Sequence, residues 1–350
     1  MRPAAMLRYA LPAAALLLLN ACEHKELCFN HPDHVARYAT DVHINYELIW
    51  EQPYEGRTHW QADWPSTGFG FSYDALRPHV PEGVRMFAYA ADGMRTENNL
   101  LPQGEEIFLP PGDNSILFYN NDTEAIVFND MWSYEDATAT TRGRSRASYT
   151  GNPHYAPSRA DKRAEVTVDA PDVLFGHYID RYTQTIVTTP PRLDITMRPL
   201  VFTYVVRYSF THGYNYVALA RGALSGMAGS VFLHNGHTST DAVTVLYDCE
   251  LKADCVEALV NSFGIPDFPN PNYSRQDGSF ALNLEVRLHN GKILNFYFDV
   301  TDQVADQPYG GVIRVGGIEI TDQQGEGGGS GGFDVDVDGW GEFTDVPVEF

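Results

Sequence analysis

The chain has 350 residues, 24 of them Lys or Arg against 46 Asp or Glu, with a net charge of −22, 43% hydrophobic and 13% aromatic content. That length exceeds one small sandwich and suits two domains of ordinary size, and the aromatic content is enough to build cores, which argues against global disorder. Such an acidic balance excludes nucleic acid as a partner, because polyanion binding needs a basic face, and the one basic concentration is a short stretch between Arg142 and Arg163.

Arg2 and Arg8 precede an apolar run, Tyr9–Leu19, that ends in Leu19-Asn20-Ala21-Cys22. The run is shorter than the roughly 20 residues a membrane-crossing helix needs. Small residues followed by cysteine are what a lipoprotein signal peptidase processes. Residues 1–21 are therefore expected to be a signal peptide, Cys22 the lipidated first residue carrying palmitate-type acyl chains, and 22–38 a tether; a secretory peptide with a chance cysteine is the alternative. The expected location is the outer membrane, with a soluble fold held by its lipid. The charged Glu23-His24-Lys25-Glu26 resembles the tags that send lipoproteins to the cell surface. Cys249 and Cys255 lie in sequence where an oxidising compartment permits a disulfide, although their spacing does not impose the required geometry.

Alternation of apolar and polar residues predicts strands nearly throughout, hence an all-β fold with little helix. In chain order, Asp41–Trp50 alternates with Val42, Ile44, Tyr46, Leu48 and Trp50 on one face, and Val84–Ala90 reads as a central strand. Ser115–Tyr119 and Ala125–Phe128 read as a hairpin turned at Asn120-Asn121-Asp122, after the turn signal Pro110-Pro111-Gly112. The stretch from Ser133 to Asp161 lacks alternation and is expected to be an exposed excursion within the first domain. Glu165–Val168, Leu200–Tyr208 and Tyr216–Ala220 follow as strands. Phe280–Leu288 and Lys292–Thr301 form a hairpin in which Asn290-Gly291 would make a type I′ turn. A domain boundary is expected near residue 190, after Thr188-Thr189-Pro190-Pro191, giving domains at 39–189 and 190–350. Glycines between 325 and 332 form a linker to the terminal stretch Phe333–Phe350.

Enzyme signatures such as G-x-S-x-G, H-E-x-x-H and the P-loop are missing from the sequence. In Gly222-Ala-Leu-Ser225-Gly226 the serine sits one position late for a nucleophile elbow, and those glycines suit a bulge. Neither catalysis nor a cofactor is expected. Cys28, His31 and His34, and separately His234 and His237, read as polar loop residues rather than metal ligands. Asp334, Asp336, Asp338 and Gly339, with Asp345 at the twelfth position, carry part of a calcium-loop pattern, yet position 12 is the shorter acid and no helices flank it. The same residues read as a half-exposed strand entering a turn, which is the preferred expectation. Trp60, Trp64 and Tyr73 form the densest aromatic segment. They could stack on sugar rings, making a surface glycan-binding lipoprotein the rival class, but buried aromatics capping the end of a sandwich are the commoner arrangement.

The tether Cys22-Glu-His-Lys-Glu-Leu-Cys28-Phe-Asn-His31-Pro-Asp-His34, with Tyr119–Glu124, Leu224–Ser230, Asp299–Gln303 and Gly332–Trp340, resembles a family of fimbrillin-like Bacteroidales lipoproteins. That resemblance implies two tandem transthyretin-like β-sandwich domains and a surface subunit of a fimbria, as anchor, accessory or structural component in adhesion. Its partners would be other fimbrial subunits and host or bacterial surface receptors. In polymerising members a trypsin-like protease removes the first strand and the next subunit's terminal segment fills the groove. Arg37 and Arg57 are the candidate processing positions here, before and after the first strand, and Val335, Val337, Val346, Val348 and Phe350 mark a candidate donor strand. Surface arginines and an ordinary edge strand of the second domain are the preferred expectation.

Overall fold

In the computed structural model, the described residues are 37–55, 59–146, 149, 166–275, 278–326 and the backbone of 344–346. They form an all-β structure of 21 strands, with helix confined to single turns such as α1 (Trp60–Asp63), α2 (Thr301–Ala305) and α3 (Asp322–Glu326).

The first seven-stranded sheet runs in the order β3 (Arg95–Leu100), β2 (Val84–Ala90), β5 (Gly112–Asn120), β10 (Phe175–Gln184), β11 (Arg192–Pro199), β1 (Ala39–Tyr46), β4 (Glu106–Phe108). β10 and β11 pair at only two positions, Phe175 with Pro199 and Gly176 with Arg198. Beyond that corner the two arms fold face to face. Val42, Ile44, Ile107, Ile195 and Met197 from one arm pack with Val84, Met86, Ile116, Phe118 and Phe175 from the other in one buried cluster, the layered solution for sheets with one apolar face each. Residues 192–199 thus complete the first sheet, and the chain leaves it after Pro199.

A second core lies between a four-stranded sheet, β16 (Glu250–Leu251), β17 (Cys255–Ser262), β12 (Phe202–His212), β20 (Gly311–Glu319), and a seven-stranded one. The latter runs β19 (Ile293–Asp299), β18 (Ala281–Leu288), β13 (Val217–Ala228), β15 (Ala242–Asp248), β9 (Thr167–Asp169), β8 (Gly143–Ser145), β21 (Thr344–Val346). A three-stranded sheet, β14 (Ser230–Phe232), β7 (Thr138–Thr141), β6 (Ile126–Asn129), joins the halves. Its Ile126, Ala139 and Val231 pack on Leu117 and Tyr119, on the opposite face of β5 from Ile116 and Phe118.

Two expectations fail here. β5 and β6 are not a hairpin: they lie in different sheets, and 120–125 is a corner. Asn120 receives the Phe175 amide at 2.7 Å, and one carboxylate oxygen of Asp172 accepts the amides of Glu124 and Ala125, each at 2.6 Å. These side chains satisfy backbone groups in place of a turn. The segment from Ser133 to Arg146 is not an exposed excursion either, and most of 147–161 lies outside the described residues. β7 buries Ala139, Thr140 and Thr141 on both faces, and β8 and β9 join the second seven-stranded sheet. Small residues buried on both faces leave no alternation to detect.

The β18–β19 hairpin forms with continuous register from Ala281–Asp299 to Arg287–Ile293. Its turn differs from type I′, because Gly291 has φ +83° while Asn290 does not enter the positive range. The Gly291 amide donates to Leu288 O at 2.9 Å, a type I turn closed by a left-handed glycine. Gly226, φ +94°, lies at a register shift in β13, the expected bulge, and Ser225 beside it is buried against Thr244.

Candidate assembly site

β1 lies inside the first sheet rather than at its edge. It runs parallel to β11, from Asp41 opposite Arg192 to Tyr46 opposite Met197, and antiparallel to β4 at Ala39, Thr40 and Asp41. Its Val42 and Ile44 amides extend that second contact, donating to Glu105 O at 3.1 Å and Gln103 O at 3.0 Å. Val42 and Ile44 point into the core, and Thr40 Oγ1 donates to Gln184 Oε1 at 2.8 Å. The strand stops at Tyr46, short of the predicted Trp50. Tyr46 OH donates to Pro102 O at 2.7 Å, and burial pushes its phenol up to about 12, with Asp122 adding to the shift.

Arg37 heads β1. Its amide and carbonyl exchange 2.9 Å hydrogen bonds with Val187, and its guanidinium meets Glu106 at 2.7 Å. A protease must open this bridge before it can hold residue 37 in an extended, unpaired form. Arg57 lies outside the described residues, as do Cys22, Cys28, His31, His34, Asp334, Asp336 and Asp338. Asp345 falls in β21, whose backbone pairs antiparallel with β8, Asp345 opposite Arg144. The terminal segment therefore meets an edge of the second seven-stranded sheet. His234 and His237 bond to neighbouring loop groups, Asn235 and the Thr238 carbonyl.

The aromatic segment after Trp50 does not open to solvent. Trp64, 7% exposed, is ringed by Trp50, Phe69, Phe71 and Tyr73 at centroid distances of 5.4–5.7 Å, over Val205 of β12 and Val312 of β20. It caps the outer face of the four-stranded sheet. Arg207 of β12 fastens this cap: Nη1 donates to Thr67 O at 3.0 Å, Nη2 to Gly68 O at 2.8 Å, and the guanidinium lies 4.3 Å from the Phe69 ring while pairing with buried Glu257. Beneath it Tyr73 OH donates to Glu51 Oε1 at 2.7 Å, and burial raises the Glu51 carboxyl against the opposing pull of that hydrogen bond. Trp60 donates to Gln307 Oε1 at 2.7 Å. These rings fill a core-like contact, as the sandwich-capping reading expects, and Trp64 is not open for stacking on a sugar. No sequence signal marked Arg207, whose backbone acceptors in the cap, Thr67 and Gly68, lie 140 and 139 residues away along the chain.

Cys249 and Cys255 are free thiols. β16 and β17 pair Glu250 with Glu257 and Leu251 with Val256, and the Lys252 amide donates to Cys255 O. That register carries Cys249 toward position 258, about 10 Å along the strand from Cys255, beyond disulfide reach. Burial pushes the Cys255 thiol up to about 11, with Glu257 adding and Arg207 opposing, and burial raises Cys249 further. Both groups are protonated in the folded state. Native protein at pH 8 is expected to alkylate slowly with iodoacetamide at both positions, and urea-unfolded protein quickly, as read by intact mass. Because the folded pKa is the raised one, the stabilising effect is complete below about 8.5, the usual thiol value, and is lost as pH rises toward 11.

A family described as a domain of unknown function, DUF5119, matches residues 70–248, just over half of the chain. The chain belongs to the DUF5119 family. Among relatives of this DUF5119 chain, a Bacteroides ovatus protein named provisionally as fimbrium anchoring subunit Fim4B is 25% identical over 321 residues, covering 82% of this chain and 91% of that one. A crystal structure of a provisionally named adhesin from Bacteroides ovatus superposes with a TM-score of 0.58 at 20% identity, covering 86% of this chain and 96% of that one, and shows the shared fold. The fimbrial anchor protein Mfa2 of Porphyromonas gingivalis covers 79% and 90% at 11% identity and a TM-score of 0.42, a likeness too slight to argue from. Among the described residues, no helix of this DUF5119 chain is long and apolar enough to cross a membrane, and no group of three or more His, Cys, Asp or Glu could hold a metal ion.

Proposed function

We propose that the chain is a lipid-anchored, non-enzymatic subunit of a surface fimbria, of the anchoring or accessory kind, built from two tandem transthyretin-like β-sandwich domains. The observation that carries this reading is the relation to the fimbrium anchoring subunit along nearly the whole of both chains. In it, Cys22 carries the lipid that holds the chain to the outer membrane, and the second domain opens after Pro199, with β12 from Phe202 onward, while β8 and β9 from earlier in the chain complete its seven-stranded sheet. The seating of β1 between two strands, with Arg37 paired on its backbone, supports a subunit that keeps its first strand and stays with its lipid. The terminal segment would be an edge strand rather than a calcium loop, for which the pairing of β21 with β8 speaks. Fimbrial subunits are the expected partners, reached through strand edges whose backbone groups want pairing.

Deleting the chain from its host tests this directly. Filaments are expected to form but to collect in the culture medium, as read by immunoblot of the fimbrial major subunit in cell and supernatant fractions. Filaments that remain cell-bound in the deletion strain would contradict the anchoring role.

A further inference from the structure

Trp132 is 81% exposed, far more than the other described tryptophans, yet it is held in place. The Arg95 guanidinium lies 4.2 Å from the centroid of the Trp132 ring and 5.0 Å from that of Phe87, which is buried. Arg95 is itself fixed, Nη1 donating to Met131 O at 2.7 Å, an acceptor shared with Tyr89 OH at 3.0 Å. The loop bearing Trp132 is closed by Ser133 N to Asp130 O at 3.0 Å and Ala137 N to Ser133 O at 3.1 Å. Its next aromatic, Tyr134, donates to Asp180 Oδ1 at 2.9 Å. One ring face is therefore occupied by a cation and the rest of the ring is presented, pre-oriented, to solvent.

We propose that Trp132 is a stacking platform for a neutral or amino hexopyranose of a surface glycan. A sugar ring offers a flat array of polarised C–H bonds that a π face attracts, and its hydroxyls donate to nearby acceptors. The loop supplies those acceptors: Asp130, Glu135 and Asp136 are exposed acids. They disfavour acidic glycans, in keeping with the net charge of −22. They place three exposed acids in the loop that bears the ring, whereas a protein-docking hot spot sits at the centre of a broad dry patch. Arg95 is a positioning residue, holding the indole without touching the sugar. The platform stands apart from the buried aromatics around Trp64 and does not depend on the anchoring role.

The test is a printed array of neutral, amino and acidic oligosaccharides probed with the full mature chain, its Trp132→Ala and Trp132→Phe variants, and Arg95→Ala. The wild-type chain is expected to bind at least one neutral or amino-sugar glycan. Trp132→Ala should weaken that binding about tenfold or more, Trp132→Phe less, and Arg95→Ala about threefold. Melting curves should be unchanged for Trp132→Phe, so that lost binding is not lost fold. Filament attachment should be normal in the Trp132→Ala strain, which separates this site from anchoring. Absence of binding to every neutral and amino-sugar glycan, binding confined to acidic ones, or equal binding by wild type and Trp132→Ala would each overturn the proposal.

Discussion

Replacing Trp64 with alanine is expected to destabilise the protein by about 3–5 kcal/mol, the cost of emptying a buried indole site that cannot collapse. Four aromatic rings close around that side chain, and its Nε1 donates to Phe71 O at 2.7 Å. Without it Val205 and Val312, 0% and 3% exposed, lose their cover on the outer face of the four-stranded sheet. Calorimetry should show a drop in melting temperature on the order of 10 °C, and tryptophan emission should shift to the red as water reaches Trp50. Trp132→Ala is the internal control. It removes an exposed ring of the same size and should change stability by about 0.5 kcal/mol or less. Equal effects at the two positions would mean that residues 60–76 do not form the cap described.

Gly104→Ala is expected to act on the first strand itself. Gly104 has φ +90°, and a Cβ there would lie 2.1 Å from Val42 O and 2.8 Å from Val42 C. No rotamer relieves that overlap, because both parties are backbone. The 101–105 turn must withdraw from β1, and the hydrogen bonds on either side, Val42 N to Glu105 O and Ile44 N to Gln103 O, go with it. The left-handed backbone costs an L residue about 1–2 kcal/mol and each lost hydrogen bond about 1 kcal/mol, so a loss of about 3–4 kcal/mol is expected. A second readout follows from Arg37, whose guanidinium pairs with Glu106, the residue after this turn. Brief trypsin treatment of the variant should cut after Arg37 faster than in the wild type, as followed by mass spectrometry. An unchanged cutting rate together with an unchanged melting temperature would show that Gly104 does not hold β1.

What could be read from the sequence follows the range of the forces involved. β2 spans the predicted Val84–Ala90, and the β18–β19 hairpin forms where predicted, because a short apolar run, side-chain alternation and an Asn-Gly turn are local signals. The alternation that marked β1 continues to Trp50, but β1 ends at Tyr46, and Trp50 serves a different core from Val42 and Ile44. One period of two therefore crosses a boundary between two packing units. The parallel pairings of β1 with β11 and of β12 with β20 join residues over a hundred positions apart. No turn residue announces such a pairing. β7 was illegible for the opposite reason, since Ala and Thr buried on both faces carry no contrast. At the candidate site, residues 60–73 were conspicuous by composition, yet whether they face solvent or a sheet depends on Arg207 and Val205, which lie far along the chain. Trp132, a single ring in a polar loop, has no pattern at all, and only its exposure distinguishes it.

The most direct test of the anchoring role is to shear cells, separate filaments from membranes, and identify the N-terminal peptide of this chain in each fraction by mass spectrometry. The expected result is a peptide beginning at lipidated Cys22, found with the membranes and the filament bases attached to them. A new terminus after Arg37 or Arg57, recovered along the length of sheared filaments, would contradict it and make the chain a polymerising subunit that gives up its first strand.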